Sequence, residues 1–69
     1  MKNKLQLFQY AILLHPTEDQ AKSGKKTTLL KFDTILASGK DSAMVLASRS
    51  IPEEQLEDLD QVEVILRPF

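Results

Sequence analysis

The chain has no cysteine, which excludes disulfide bonds and thiolate metal sites. Histidine occurs once, at His15, so no histidine cluster is available to hold a metal. The longest uninterrupted apolar run covers residues 10–14 and is far too short for a transmembrane helix. The start of the chain lacks the apolar stretch and cleavage site of a signal peptide. We therefore expect no cofactor, no metal and no membrane contact.

The length of 69 residues predicts one small domain, residues 1–69. A domain of this size buries only roughly 60% of its unfolded-state surface, so it is marginally stable without further support. Small domains obtain that support from disulfides, metals or oligomers. Because cysteine is absent, the remaining sources of stability are an efficient core and self-association.

The net charge of −1 disfavours a general nucleic-acid binder. The charge is unevenly distributed, however. Residues 1–40 hold seven lysines and three acids, whereas residues 41–69 hold two arginines and seven acids. An alternative function is therefore nucleic-acid contact through the lysine-rich N-terminal half, including Lys22, Lys25 and Lys26.

Hydrophobic periodicity predicts strands at residues 4–15, 27–37 and 61–69 and a helix at residues 41–51. The first strand is apolar on both faces, which is typical of a central strand. Its first face consists of Phe8, Tyr10, Ile12 and Leu14. Its second face consists of Leu5, Leu7, Ala11 and Leu13.

The second strand is expected at an edge, with Leu30, Phe32 and Leu36 on one face. Residues 17–26 are polar, contain Gly24 and are predicted to form a loop. Either Ser38 or Asp41 could provide the helix N-cap. The predicted buried side of the helix contains Ala43, Leu46, Ala47, Ser50 and Ile51. A short turn follows, which we expect Leu56 and Leu59 to anchor.

These elements predict an α+β fold of ββαβ type. Its three-stranded sheet would be mainly antiparallel, in the order 2-1-3, with one helix on one face. The opposite face would then be too apolar to remain in contact with water. We expect it to pack against a second copy or a protein partner, unless the 17–26 loop folds back over it.

Motifs that would indicate chemistry are incomplete. Residues 37–42 resemble the Ser-Gly-Gly-x-Asp-Ser loop of the ATP-pyrophosphatase family, but one glycine is missing, and a plain helix-capping turn has the same residues. Residues 24–27 resemble the end of a Walker P-loop without its first glycine. His15 has no acid at a recognisable spacing, and the acids of residues 53–60 lack calcium-loop spacing. Accordingly, no catalytic residue is assigned.

Three segments together resemble small uncharacterised proteins of tailed bacteriophages: FQYAILLHPT at 8–17, IPEE at 51–54 and LDQVEVILRPF at 59–69. The resemblance covers about two-thirds of the chain and contains no functional motif. It implies a virion accessory protein or a modulator of a host protein, located in the virion or the host cytoplasm.

The sequence thus leads to three hypotheses. The first is a small, non-enzymatic protein-interaction module that self-associates through an open sheet face and the 17–26 loop. The second is the nucleic-acid contact, and the third is a nucleotide-binding enzyme that uses the 38–42 loop. No small-molecule substrate is indicated. For the first hypothesis, the predicted interaction residues are Leu5, Leu7, Leu13, Lys22, Lys25, Lys26, Ile65 and Phe69.

Overall fold

The computed structural model describes residues 4–69, which form an α+β fold. The elements in chain order are β1 (Gln6–Leu14), α1 (Glu18–Lys22), β2 (Thr28–Ala37), α2 (Lys40–Ser48), a 3₁₀ segment (Glu53–Gln61) and β3 (Val62–Pro68). The three predicted strands and the main helix are confirmed, with ends that differ by at most three residues.

The sheet has the strand order β2-β1-β3, and β1 pairs antiparallel with both neighbours. This is the predicted order, with the most apolar strand at the centre. Because β2 and β3 are both edge strands, each has one edge without a strand partner. Lys31 and Asp33 on β2 and Pro68 on β3 are residue types that discourage strand addition at such edges.

The core lies between β1 and α2. Phe8, Tyr10 and Ile12 of β1 are buried, and they pack with Ala43 and Ala47, which have no exposed surface. The small alanine side chains allow α2 to lie close to the sheet. Half-buried apolar residues complete the two clusters: Leu30, Ile35, Ile51, Val62, Val64 and Leu66.

The prediction that Leu30 shares a face with Phe32 and Leu36 was wrong. The register between β1 and β2 shifts between Ile12 and Leu13, where β2 contains one extra residue. This β-bulge turns Leu30 towards the core, whereas Phe32 and Leu36 remain on the opposite face.

Residues 17–26 contain a helix rather than only a loop, which corrects a second prediction. Thr17 and Gln20 form a capping box: the Gln20 amide donates to Thr17 Oγ1, and the Thr17 amide donates to Gln20 Oε1. Gly24, with φ of +94°, ends the helix. The amides of Gly24 and Lys25 donate to the carbonyls of Ala21 and Gln20, as in a Schellman motif.

The N-cap of α2 is Gly39, so neither Ser38 nor Asp41 occupies that position, and no side chain caps the helix. The predicted buried side of α2 was only partly right, because Leu46 is 38% exposed. Leu56 and Leu59 do not anchor the following turn. Both are about half exposed, because the 3₁₀ segment contains a kink at Asp58 and contacts the rest of the protein mainly along β3.

The molecule is elongated, with extents of 53 × 21 × 14 Å and a radius of gyration of 14.1 Å. A globular chain of this length would have a radius of gyration of about 11 Å. The helix α2 covers only one face of the three-stranded sheet, so the molecule consists of two thin layers. The second face is therefore left to solvent or to a partner.

Candidate interaction face

The sheet face turned away from α2, called the open face below, is composed of alternate residues of all three strands. Strand pairing fixes its membership, and the Phe69 amide, which donates to the Leu7 carbonyl, extends it by one residue. The residues of the open face are Leu7, Gln9, Ala11, Leu13, Leu29, Phe32, Thr34, Leu36, Glu63, Ile65, Arg67 and Phe69.

Pairing across the sheet arranges these side chains in rows perpendicular to the strands. The first row, Leu36–Leu7–Phe69, is apolar. The second row, Thr34–Gln9–Arg67, is polar, and a 3.0 Å hydrogen bond from Arg67 Nε to Gln9 Oε1 joins two of its side chains. The third row, Phe32–Ala11–Ile65, is again apolar, and the fourth row, Leu29–Leu13–Glu63, is mixed.

Large apolar side chains of the open face are exposed to solvent. Phe32 and Leu36 are 56% and 57% exposed, and Ile65 is 44% exposed. Between Phe32 and Ile65 the small Ala11 leaves a shallow groove, which Gln9 and Arg67 also line. Residues 17–26 do not cover this face, since these side chains remain exposed.

Five of the predicted interaction residues lie on or beside the open face. Leu7, Ile65 and Phe69 belong to it and are exposed, Leu13 belongs to it and is half-buried, and Leu5 is exposed just before β1. Leu29, Phe32 and Leu36 also belong to this face and were not among the predicted interaction residues. Their assignment requires the register of β1 with β2, which places Phe32 opposite Ala11 and which no local sequence pattern reveals.

The predicted lysines lie away from most of the open face. Lys22 is on α1, 3.9 Å from Glu18. Lys25 and Lys26 line a cleft at the end of the sheet, which Asp58 and Gln61 also line. The basic half and the acidic half of the sequence therefore meet in space. Lys2 lies outside the described residues.

His15 has an acid partner, contrary to the sequence analysis. Its Nε2 is 2.6 Å from Glu63 Oε1, and its Nδ1 is 2.9 Å from Thr27 Oγ1. Pairing of β1 with β3 brings Glu63 close, although it is 48 residues away in sequence. Gln61 adds a hydrogen bond from its Nε2 to the His15 carbonyl. The network thus ties together the ends of three strands.

The order hydroxyl, imidazole and carboxylate is also that of a nucleophilic relay. In this protein the His15 and Glu63 side chains are 43% and 52% exposed. Water therefore screens their interaction and weakens any activation of Thr27. We interpret the network, called the latch below, as structural: its hydrogen bonds hold the ends of the three strands together at one end of the sheet.

Of residues 38–42, only Ser38 and Gly39 connect β2 to α2, and the other three form the first turn of the helix. Gly39 has an extended backbone, and a side chain at this position would meet nothing within 4 Å. Within residues 4–69, no group of three or more His, Asp or Glu side chains is placed to hold a metal ion. In the same part of the chain, no helix is long and apolar enough to cross a membrane.

Comparison with known proteins yields no relative: no family model, curated protein or solved structure matches this chain. The sheet and its open face are therefore the features of the molecule that bear on its function.

Proposed function

We propose that the protein is a small, non-enzymatic protein-interaction module that self-associates through its open face. The phage-type resemblance of three sequence segments suggests its setting, as a virion accessory protein or a modulator of a host protein. The open face supplies the binding surface, and α2 on the other side supplies the core that holds the sheet together.

The observation that carries this proposal is the exposure of Phe32, Leu36 and Ile65 on one continuous face. Monomeric soluble proteins rarely expose large contiguous apolar patches, and those that do use them as interaction sites. Here two apolar rows cross all three strands on either side of the polar Gln9 row, so their positions are set by backbone pairing. A rigid surface of this kind loses little conformational entropy when it binds a partner.

The size of the open face indicates the strength of the interaction. Three strands about 4.8 Å apart and about 30 Å long give a face of roughly 400 Å². A standard specific interface removes about 800 Å² of accessible surface from each partner. At about half of that area, the open face lies below the standard size and in the range of weak, transient interfaces, so we expect micromolar rather than nanomolar self-association.

The test is light scattering over a concentration series of the wild-type protein, from low micromolar to millimolar. We expect the mass to rise from that of the 7.8 kDa chain to twice that value. A mass that stays at one chain up to millimolar concentration would refute self-association. The same series at high salt separates apolar packing, which salt does not weaken, from charge-driven contact.

A further inference from the structure

We propose that two copies of the chain pack open face to open face about a two-fold axis that runs parallel to β1. This inference rests on the proposed self-association and specifies its geometry. The result is a six-stranded sandwich whose sheets lie about 10 Å apart, with one α2 helix on each outer surface.

The row pattern of the open face supports this axis. A two-fold axis parallel to the strands keeps every row opposite the same row of the second copy. The two apolar rows then meet their own counterparts, and so does the polar Thr34–Gln9–Arg67 row. In the mixed fourth row, Leu29 lies opposite the partner's Glu63, whose carboxylate is hydrogen-bonded to His15 at the end of the sheet. The axis also exchanges the edge strands, so that β2 of one copy lies over β3 of the other.

Two specific apolar contacts follow from this exchange. Phe32 lies opposite the partner's Ile65, and Leu36 lies opposite the partner's Phe69. All four of these side chains are at least 44% exposed in the single chain. In the polar row, Arg67 lies opposite the partner's Thr34, where a hydroxyl can accept a hydrogen bond from the guanidinium.

A two-fold axis perpendicular to the strands reverses the rows and produces mismatches. If it passes through the Gln9 row, Arg67 lies against the partner's Arg67, which is a like-charge contact. If it passes through the Ala11 row, Arg67 lies opposite the partner's Glu63, but the apolar Leu7 row lies over the partner's His15 and Thr27. An axis between these two rows places Arg67 over the partner's Ile65 and buries a charge against an apolar side chain.

A mixing experiment distinguishes the two orientations. The variants Phe32→Glu and Ile65→Lys are each expected to be monomeric where the wild type is dimeric. In an equimolar mixture, the axis parallel to β1 places Glu at position 32 of one chain opposite Lys at position 65 of the other. The native Phe32–Ile65 contact is kept on the other side. We expect a heterodimer, seen by native mass spectrometry, whose dissociation constant is within about tenfold of that of the wild-type dimer.

The outcomes separate this inference from the proposed function. A monomeric wild type overturns both. A dimeric wild type whose folded variants form no heterodimer, or one more than about a hundredfold weaker than the wild-type dimer, overturns the axis alone. A perpendicular axis sets position 32 against 32 and position 65 against 65, so each introduced charge would meet a native apolar side chain. Circular dichroism checks that each variant folds. If one does not, Leu36→Glu mixed with Phe69→Lys tests the same axis at a more exposed pair.

Discussion

Phe32 and Ile65 lie on opposite edge strands and face the same side of the sheet, because both are paired with Ala11 of the central strand. The two large side chains flank a small one, which produces the groove in the middle of the open face. In the proposed dimer, this row contains the main apolar contacts. Variants in the row and beside it are therefore the most direct tests.

Phe32→Lys should abolish self-association and leave the fold intact, because Phe32 packs against no core cluster and is 56% exposed. Burying a half-exposed phenylalanine contributes about 2 kcal/mol, and a two-fold dimer contains two such residues. Dimerisation should therefore weaken at least about a hundredfold. Sedimentation equilibrium measures the change. Leu7→Lys, in the other apolar row, should act in the same direction.

Val45→Lys is the matched control, because Val45 is 52% exposed on α2, on the other side of the protein. This variant should dimerise like the wild type. Loss of the dimer in Val45→Lys, with the dimer retained in Phe32→Lys, would place the interface on the helical side and contradict the proposed face.

Thr34→Glu should strengthen the dimer if the two-fold axis runs parallel to β1. Each copy would then offer a carboxylate to the partner's Arg67, whose guanidinium is already positioned by Gln9. Two partly exposed ion pairs should tighten dimerisation about tenfold at low salt, and the gain should shrink as salt is added. Isothermal dilution calorimetry measures both effects.

The control for Thr34→Glu is Ser42→Glu, which adds the same charge on α2, away from the open face. Its dimerisation constant should not change. Weaker dimerisation of Thr34→Glu would favour an axis through the Gln9 row, which would bring the two new carboxylates together.

The sequence was sufficient to predict the sheet order and the central position of β1, because period-two apolarity on both faces of residues 5–14 is typical of a strand that has neighbours on both sides. It was also sufficient to identify Ala43 and Ala47 as the buried side of the helix. Those predictions depend on periodicity, which a single strand or helix displays by itself. The same alternation grouped Leu7 and Leu13 on one face of β1, but which of the two faces is open was left undecided by the sequence.

Features that depend on register were not predictable in the same way. A β-bulge near Leu30 changes the face of one side chain without changing the composition of the strand. The contact between His15 and Glu63 requires the pairing of β1 with β3, which no local spacing reveals. The α1 helix is a different case. Thr17, Gln20 and Gly24 are readable capping signals that were outweighed by the polarity of the segment.

The contact between His15 and Glu63 should contribute a small coupling energy. Both side chains are about half exposed, and exposed pairs of this type contribute about 0.2 to 1 kcal/mol. A double-mutant cycle with His15→Ala, Glu63→Ala and the double variant measures this energy by urea unfolding at one protein concentration. Zero coupling would show that the latch does not stabilise the fold, whereas a value well above 1 kcal/mol would indicate a less hydrated network.

Ala47→Leu should destabilise the fold by about 1 to 3 kcal/mol, because Ala47 has no exposed surface and packs with Tyr10 and Ile12. The larger side chain would push α2 away from the sheet. Val45→Leu on the exposed side of the same helix is the control and should change stability by less than about 0.5 kcal/mol. A neutral Ala47→Leu would mean that α2 can move on the sheet, and that the core is looser than its burial indicates.

The two glycines should respond differently to alanine. Gly24 has φ of +94° in the Schellman motif that ends α1, where a Cβ costs about 1 to 2 kcal/mol. Gly39 has φ of −169°, and a Cβ there meets nothing. Gly24→Ala should thus lower Tm by at least about 4 °C at fixed protein concentration, whereas Gly39→Ala should leave it nearly unchanged.

An equal loss of Tm in Gly39→Ala would show that residues 38–42 require glycine for a reason beyond beginning the helix, and it would revive the nucleotide-binding hypothesis. Calorimetric titration of the wild type with ATP and magnesium would then decide, because a helix-capping turn gives no binding signal.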